Sequence, residues 1–519
     1  MSMAPSVPAL DTFASLAFLC ISALYLKARW KSSRLPLPPG PKGYPIIGNL
    51  LDMPHRFEWE VYHRWCKDFD TDILHLNAGG THIIVLDSYR AAQEVLERKS
   101  TINSGRPRLP MVNELMGLDF NFGFMDYGIC VRRSRRLMHH AFHPSAAKQY
   151  RPQEINSARR FLRRLLDDQD DIMGELRLLS GEAVLSSTYG IEIASKHDKY
   201  ITIAEDGTEP VLTAIIPGTF LVDFIPALKY VPEWFPGAEF KRKAREWRQA
   251  TFRMRDVPYE DAKREIERGT PLVSFCSMSL GKIDERLDRD AQEEDIKSVA
   301  ATLYGAYTTA GADSVMAAVA TCILALLNHP DVFKKAQAQI DSVVKPGRLP
   351  DFDDEASLPF VTAIIKESMR WREVTPLGLP HRASAESEYN GYRIPKGSII
   401  MANSWAMLHD ETVYPEPFAF KPERFLTNKG QLNKSVKDPG HAIWGFGRRI
   451  CPGRYMAASS VWITVASFIS AFDIARVDES GGLDHEYGSG IIRIPLPFKC
   501  SIRPRSKAIE DFIRSTTRE

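Results

Sequence analysis

"WGFGRRICPGRYMA", residues 444–457, gathers Gly445, Gly447, Arg448, Arg449 and Cys451 into one short run and then turns apolar. The pattern predicts a glycine-containing loop that passes into a helix near the cysteine. Pro452 suits a first helical position, where its missing N–H has no partner to lose, so Cys451 is expected as the helix cap. There its sulfur faces free N–H groups and the positive end of the helix dipole, which lower a thiol's pKa and favour thiolate, the form that binds metal. Gly445 and Gly447 permit backbone conformations closed to bulkier residues and let a flat group approach. Arg449 offers a cation to an anion. A planar, anionic, iron-bearing ligand meets these conditions together. The plainer alternative is an ordinary buried thiol, which is what most lone cysteines are.

Around this run the chain reads as mostly helical. The helix ASSVWITVASFISAF follows it, and a proline-rich coil, YPEPFAFKPERFL (414–426), precedes it. Further upstream, GYRIPKGSIIMANSWAM (391–407) alternates like strands around turn residues, and SLPFVTAIIKESMRWR (357–372) has the pattern of a packed helix. Residues 293–330 carry acids at the start, Pro330 at the end and apolar residues on nearly every face between. A helix apolar all round is a buried one, and this one is expected to cross the protein, about 50 Å at roughly 1.5 Å per residue. DILHLNAGGTHIIVLD (72–87) predicts a hairpin turning at Gly79 and Gly80.

The chain has 519 residues, 44% of them hydrophobic, enough for a large core in one globule or in two or three domains. Lys plus Arg number 67 against 65 Asp plus Glu, a balance that argues against nucleic acid as a partner. The seven cysteines lie far apart without repeated spacing, which suits a reducing compartment rather than a disulfide framework. Near the start, FASLAFLCISALYL (13–26) is uncharged and extends back to Val7 if Asp11 sits at an interface. That span approaches the roughly 17–25 residues of a membrane helix. A secretory signal places positive charge before its apolar stretch, whereas Lys27, Arg29, Lys31 and Arg34 all follow this one. The expected organisation is an uncleaved anchor with its basic flank (1–34), a stiff hinge with five prolines (35–50) and a body (51–519) held in the cytosol by the positive-inside rule.

Taken whole, WGFGRRICPG resembles the haem-binding signature of the cytochrome P450 family, FxxGxRxCxG, with Gly447, Arg449, Cys451 and Gly453 in register and Trp444 in place of Phe. Other stretches resemble that family in the right order. Glu367 and Arg370 in KESMR, with Arg424 in FKPERF, are similar to its Glu-Arg-Arg network, although such an i,i+3 pair alone is more simply a surface ion pair. AGADS (310–314) resembles its oxygen-binding motif. Mid-helix Gly311 then marks a local opening rather than plain close packing, with Asp313 as proton relay and Ser314 as the hydroxyl that holds dioxygen, where the pattern has Thr. Arg135 matches the arginine of the WxxxR pattern, with Val131 replacing Trp, and His381 in LPHRA resembles a histidine aimed at a propionate. For two or three of Arg132, Arg133, Arg135 and Arg136 a solvated helix face is the simpler reading, one able to steer an acidic partner. A metal cluster of His139, His140 and His143 ranks lower.

The resemblance implies a mainly α fold with small β-sheets, haem b with Cys451 as axial thiolate, and Arg449, His381 and Arg135 as cofactor clamps beside Gly445, Gly447 and Gly453. Glu367, Arg370 and Arg424 are implied as structural support. It also implies a monooxygenase fed by NADPH through a flavoprotein reductase, anchored by one span in the endoplasmic reticulum membrane with its catalytic domain in the cytosol. The segments 111–124, 211–224, 375–379 and 488–492 are apolar and aromatic and suggest a lipophilic guest, terpenoid, steroid-like or aromatic, although plain core accounts for about half of such positions. MVNELMG and WFPGAEFKRKA resemble stretches of fungal secondary-metabolism members, while xenobiotic oxidation is the other role. Two other classes stand beside this reading: a reductase-independent haem-thiolate isomerase or dehydratase, and a non-catalytic haem-binding protein. Asp313 with Ser314 favours the monooxygenase, since only that class needs delivered protons.

Overall fold

The computed structural model describes residues 35–516 apart from 194, 217, 270, 310–311 and 478–486. Among the described residues, the helices of eight residues or more begin with α1 (Glu58–Asp68), α2 (Ile129–Phe142), α3 (Arg151–Asp167) and α4 (Ile172–Tyr189). They continue with α5 (Lys199–Ala214), α6 (Glu239–Glu267), α7 (Arg289–Thr309) and α8 (Ala312–Asn328). The last are α9 (Pro330–Val343), α10 (Pro359–Trp371), α11 (Arg454–Ala471) and α12 (Lys507–Ser515).

Strands β1 (Ile73–Ala78) and β2 (Thr81–Leu86) form the expected hairpin, with positive φ at Gly79 and Gly80. β2 pairs in parallel with β6 (Ile399–Ala402), which pairs antiparallel with β3 (His381–Arg382), giving the order β1-β2-β6-β3. Two small antiparallel pairs complete the set, β4 (Ser387–Tyr389) with β5 (Tyr392–Ile394) and β7 (Phe472–Arg476) with β8 (Cys500–Pro504). The architecture is mainly helical with small sheets, as the sequence implied.

Two helices set the centre. Every residue from Met316 to Leu327 of α8 and from Ser460 to Ala471 of α11 is buried, because neither helix carries a polar face to present to water. They pack with α3, α4, α9 and α10 into one apolar core, while α2, α5, α6 and α7 close a second around Phe142, Tyr189 and Tyr304. The stretch expected as one helix over 293–330 is described as α7 and α8, starting four residues earlier, at Arg289. Gly311 lies outside the described residues. The end of 391–407 is helix rather than strand, because the Asn403 side chain accepts from Ala406 N–H and caps Ser404–Leu408. Residues 35–50 lie along the sheet: Pro39 accepts from His75 N–H, and Gly48 bridges to Ala78. The expected anchor lies outside the described residues, and among those described no single helix is long and apolar enough to cross a membrane.

One buried carboxyl joins α3 to α11. Glu154 accepts from Ser459 Oγ at 2.6 Å and Ser460 Oγ at 2.9 Å, its second oxygen has no partner, and burial pushes its pKa up to about 7. Between its ordinary value of 4.5 and 7 the folded chain therefore holds a proton that the unfolded chain has released. Stability falls as pH rises through that window, by about 3 kcal/mol in all, and levels off above it. Glu154→Gln is expected to flatten this slope. Urea midpoints measured across the window check it, and an unaltered slope in the variant rejects the assignment.

Candidate active site

The cysteine loop is built by three backbone bonds. Arg449 N–H donates to Phe446 O, Ile450 N–H to Gly447 O, and Cys451 N–H to Trp444 O at 2.7 Å, so the chain from 444 to 451 closes on itself. That closure corrects one expectation: Cys451 is not the cap of α11. Pro452 and Gly453 form a turn, Gly453 is the cap, and the helix begins at Arg454. The Gly453 N–H still reaches the sulfur. A second correction concerns the thiol. Burial pushes its pKa up, and the opposing pull of Gly453 N–H, Arg454 and Arg135 does not cancel this. A metal bound there would take the place of the proton.

The glycines divide their tasks. Gly447 has φ +55°, and a Cβ there would stand 2.2 Å from the Leu96 carbonyl oxygen, so this glycine serves close backbone packing against residues 93–98. Gly445 has φ +72° and its Cβ would meet only Arg449 O, at 3.8 Å, while a Cβ on Gly453 would meet nothing within 4 Å. These two leave open space beside the cysteine.

Around the loop stand three arginines and a histidine. Arg449 donates from Nε to Ser104 O (2.8 Å), from Nη1 to Phe122 O (2.9 Å) and from Nη2 to Met125 O (2.6 Å). Arg135, the half-buried member of α2, donates to Ile450 O at 2.9 Å, next to Cys451, while Arg132, Arg133 and Arg136 are exposed. Sequence reading missed Arg106, which donates to Gly123 O, Leu379 O and Pro380 O. Among the described residues none of Arg106, Arg135 and Arg449 forms an ion pair, and all their side-chain hydrogen bonds go to neutral carbonyls, while the Arg106 backbone N–H donates to the Asp126 carboxylate at 3.2 Å. The gathered positive charge shows in the titrations, only partly offset at Arg449 by Asp126. Burial, with Arg449 and Arg135 beside it, lowers Arg106 to about 9, and burial with Arg135 lowers Arg449 to about 10. His381 falls to about 3 through burial, Arg106 and Arg449, although the Asn103 carbonyl accepts from its Nδ1 at 2.8 Å. Its neutral ring donates there and keeps Nε2 as an acceptor, so it donates to an anion only by taking a second proton.

The Glu-Arg-Arg set is assembled in full. Glu367 accepts from Arg370 Nε at 2.8 Å, Arg370 Nη2 at 3.0 Å and Lys421 N–H at 2.8 Å, with both side chains wholly buried. Arg424 Nε stands 3.0 Å from the same carboxylate, close enough for an ion pair but misaligned for a hydrogen bond, and its Nη1 donates to Pro415 O. Asp313 is buried at the start of α8 and pairs with Arg177 of α4 at 3.6 Å, a partner the sequence did not reveal. Burial pushes its carboxyl above the usual range, and Arg177 pulls the other way. Ser314 follows it, half-buried. Among the described residues no group of three His, Cys, Asp or Glu side chains is placed to hold a metal ion, so His139, His140 and His143 make no such site.

One cysteine beside open space, faced by buried and half-buried guanidinium groups that bond no carboxylate, suits an anionic metal-bearing cofactor. The profile of the cytochrome P450 family matches residues 38–502. The chain belongs to that family and is a cytochrome P450 monooxygenase, and the family implies a haem-thiolate cofactor, a redox partner and a small-molecule substrate. It is 42% identical over 498 residues, 95% of each chain, to cytochrome P450 monooxygenase 98 of Postia placenta. It is 40% identical over 521 residues to cytochrome P450 monooxygenase ple1 of Rhodocybe pseudopiperita, covering 99% of this chain and 98% of that one. It is 39% identical over 492 residues to the tryptamine 4-monooxygenase of Psilocybe cyanescens, covering 93% and 96%.

Proposed function

We propose that this chain inserts one oxygen atom of O2 into a lipophilic small molecule of fungal secondary metabolism, terpenoid, steroid-like or aromatic, using electrons from NADPH passed through a flavoprotein reductase. The observation that carries the haem site is the trio Arg106, Arg135 and Arg449, buried or half-buried, with guanidinium groups that bond only carbonyls, gathered about the Cys451 loop. Two carboxylates of a porphyrin would pair with these guanidinium groups. Haem held there would supply O2 chemistry. Cys451 would give the sulfur ligand, Arg449 and Arg106 would hold the anionic edge, and His381 would add a donor once a bound anion favours its second proton. Gly445 and Gly453 keep the approach clear.

Asp313 takes protons inward. Its burial favours the protonated form, while half-exposed Arg177 connects it to solvent and stabilises the ionised one. A carboxyl that visits both states is suited to relay. Ser314 offers a hydroxyl one residue on. Asp313→Asn is expected to slow turnover by about tenfold or more with haem content intact. Single-turnover kinetics on the haem-loaded variant check this, and unchanged turnover removes Asp313 from the relay.

The relatives support the fungal setting, among them one whose name assigns it tryptamine as substrate. Two exposed apolar groups, Ile46 with Leu51 and Leu221 with Tyr230 and Trp234, support attachment of the body to a membrane surface beside an amino-terminal anchor. Exposed Arg132, Arg133 and Arg136 on α2 support docking of an acidic reductase. The deciding experiment pairs the chain with a reductase in microsomes and screens terpenoid, steroid and aromatic compounds under labelled O2. A product carrying one labelled atom, formed only with NADPH, is the expected result. Turnover on a hydroperoxide alone overturns the reductase assignment.

A further inference from the structure

Just beyond α10 a second buried ion pair lies apart from the cysteine loop. Glu373 and Arg493 are both buried, and Arg493 Nη1 donates to Glu373 Oε1 at 3.5 Å. This contact is long, and each partner keeps an unsatisfied polar atom, Glu373 Oε2 and Arg493 Nε. The Arg493 guanidinium also lies over two aromatic rings, Trp59 at 5.6 Å and Tyr487 at 5.2 Å. Both distances fall within the range of cation–π attraction. The backbone repeats the link, because Arg493 N–H donates to Val374 O at 2.8 Å.

The two residues join two loops. Arg493 belongs to the turn closed by the Tyr487–Pro495 bridge and by Gly488 N–H to Ile494 O, which carries Ile491 and Ile492. Glu373 opens the segment that ends at Leu379 and Pro380, whose carbonyls hold Arg106. Residues 374–380 are thus strung between two buried arginines, Arg493 at one end and, at the other, Arg106 of the cationic trio. Both loops are mostly apolar, and a shift at Val374 is carried toward Arg106 by a stretch of chain only a few residues long.

We propose that Glu373 and Arg493 form a specificity-determining positioning pair, which fixes segment 374–380 against turn 487–495 and so sets the size of guest that the haem pocket admits. The inference rests on the haem site proposed above. Among the described residues, neither has a hydrogen bond or ion pair to the cysteine loop. Removing one partner leaves the other as an unpaired buried charge, and the two loops then separate or repack.

The test uses haem-loaded full-length protein and two iron-binding probes. Imidazole reaches the metal alone, whereas clotrimazole presses its aryl rings on the pocket walls. In Glu373→Gln, clotrimazole affinity is expected to change by about fivefold or more while imidazole stays within about twofold. Equal shifts for both azoles, or no shift for either, overturn the proposal. Arg493→Lys, which keeps the charge but loses the planar fork, is the second variant, read by amide hydrogen exchange. Faster exchange in 374–380 and 487–495 together is expected, and faster exchange in one segment alone, or in neither, overturns the linkage. A wild-type protein that binds neither azole defeats the haem reading instead, while the exchange measurement still judges the loop linkage.

Discussion

Replacing Cys451 by alanine is expected to abolish the haem-thiolate absorption of the reduced, carbon-monoxide-bound protein, and oxygenase activity with it, while the chain keeps its helical content. Local geometry gives the reason for the second half. The loop is closed by the backbone bond from Cys451 N–H to Trp444 O, and α11 is capped by Gly453, so neither feature needs the sulfur. The first half follows from the lack of a substitute in the loop among the described residues, where Cys66 of α1, Cys276, Cys322 of α8 and Cys500 of β8 are buried elsewhere in the fold and Cys130 is exposed on α2. A variant that retained the thiolate absorption would require a different sulfur and would refute the assignment. Circular dichroism on the same sample separates loss of the ligand from loss of the fold.

How far the sequence led depends on the range over which each interaction acts. The cysteine loop was legible because its glycines, arginine and cysteine lie within ten residues and each spacing answers to a local constraint. The hairpin at Gly79 and Gly80 was legible for the same reason. The start of α11 was misjudged: Pro452 is compatible with a first helical turn, but the bond to Trp444 holds Cys451 in the loop and moves the cap to Gly453. The thiol's titration was misjudged too, because burial by surrounding chain outweighs the few local donors that a sequence displays. Arg106 was invisible. It lies in SGRPR, a segment without periodicity, and its partners Leu379 and Pro380 are more than 270 positions away. Arg177 escaped likewise, since its role depends on which face of α4 meets α8.

Glu367 illustrates the opposite case, in which local spacing undervalued the interaction, and its loss is expected to be the costliest change outside the haem ligand. On an exposed helix an i,i+3 pair contributes only a few tenths of a kcal/mol. Here Glu367 and Arg370 are fully buried, Arg424 is nearly so, and the carboxylate also takes the Lys421 N–H, tying α10 to residues 419–425. Glu367→Gln keeps the shape but leaves two guanidinium groups facing an amide in a dry site. Breaking a buried pair in this way costs about 3–5 kcal/mol. Against a typical total of roughly 5–15 kcal/mol, that removes a large part of the margin. The expected result is a sharp fall in haem-loaded yield and a lower urea midpoint for loss of the thiolate absorption. Glu367→Asp, which keeps the charge but shortens the reach, should fall between. A Glu367→Gln protein that loads haem and unfolds like the wild type would mean that the two arginines are held by their carbonyl partners alone, Leu408 and Ala419 for Arg370 and Pro415, Glu416 and Ala419 for Arg424.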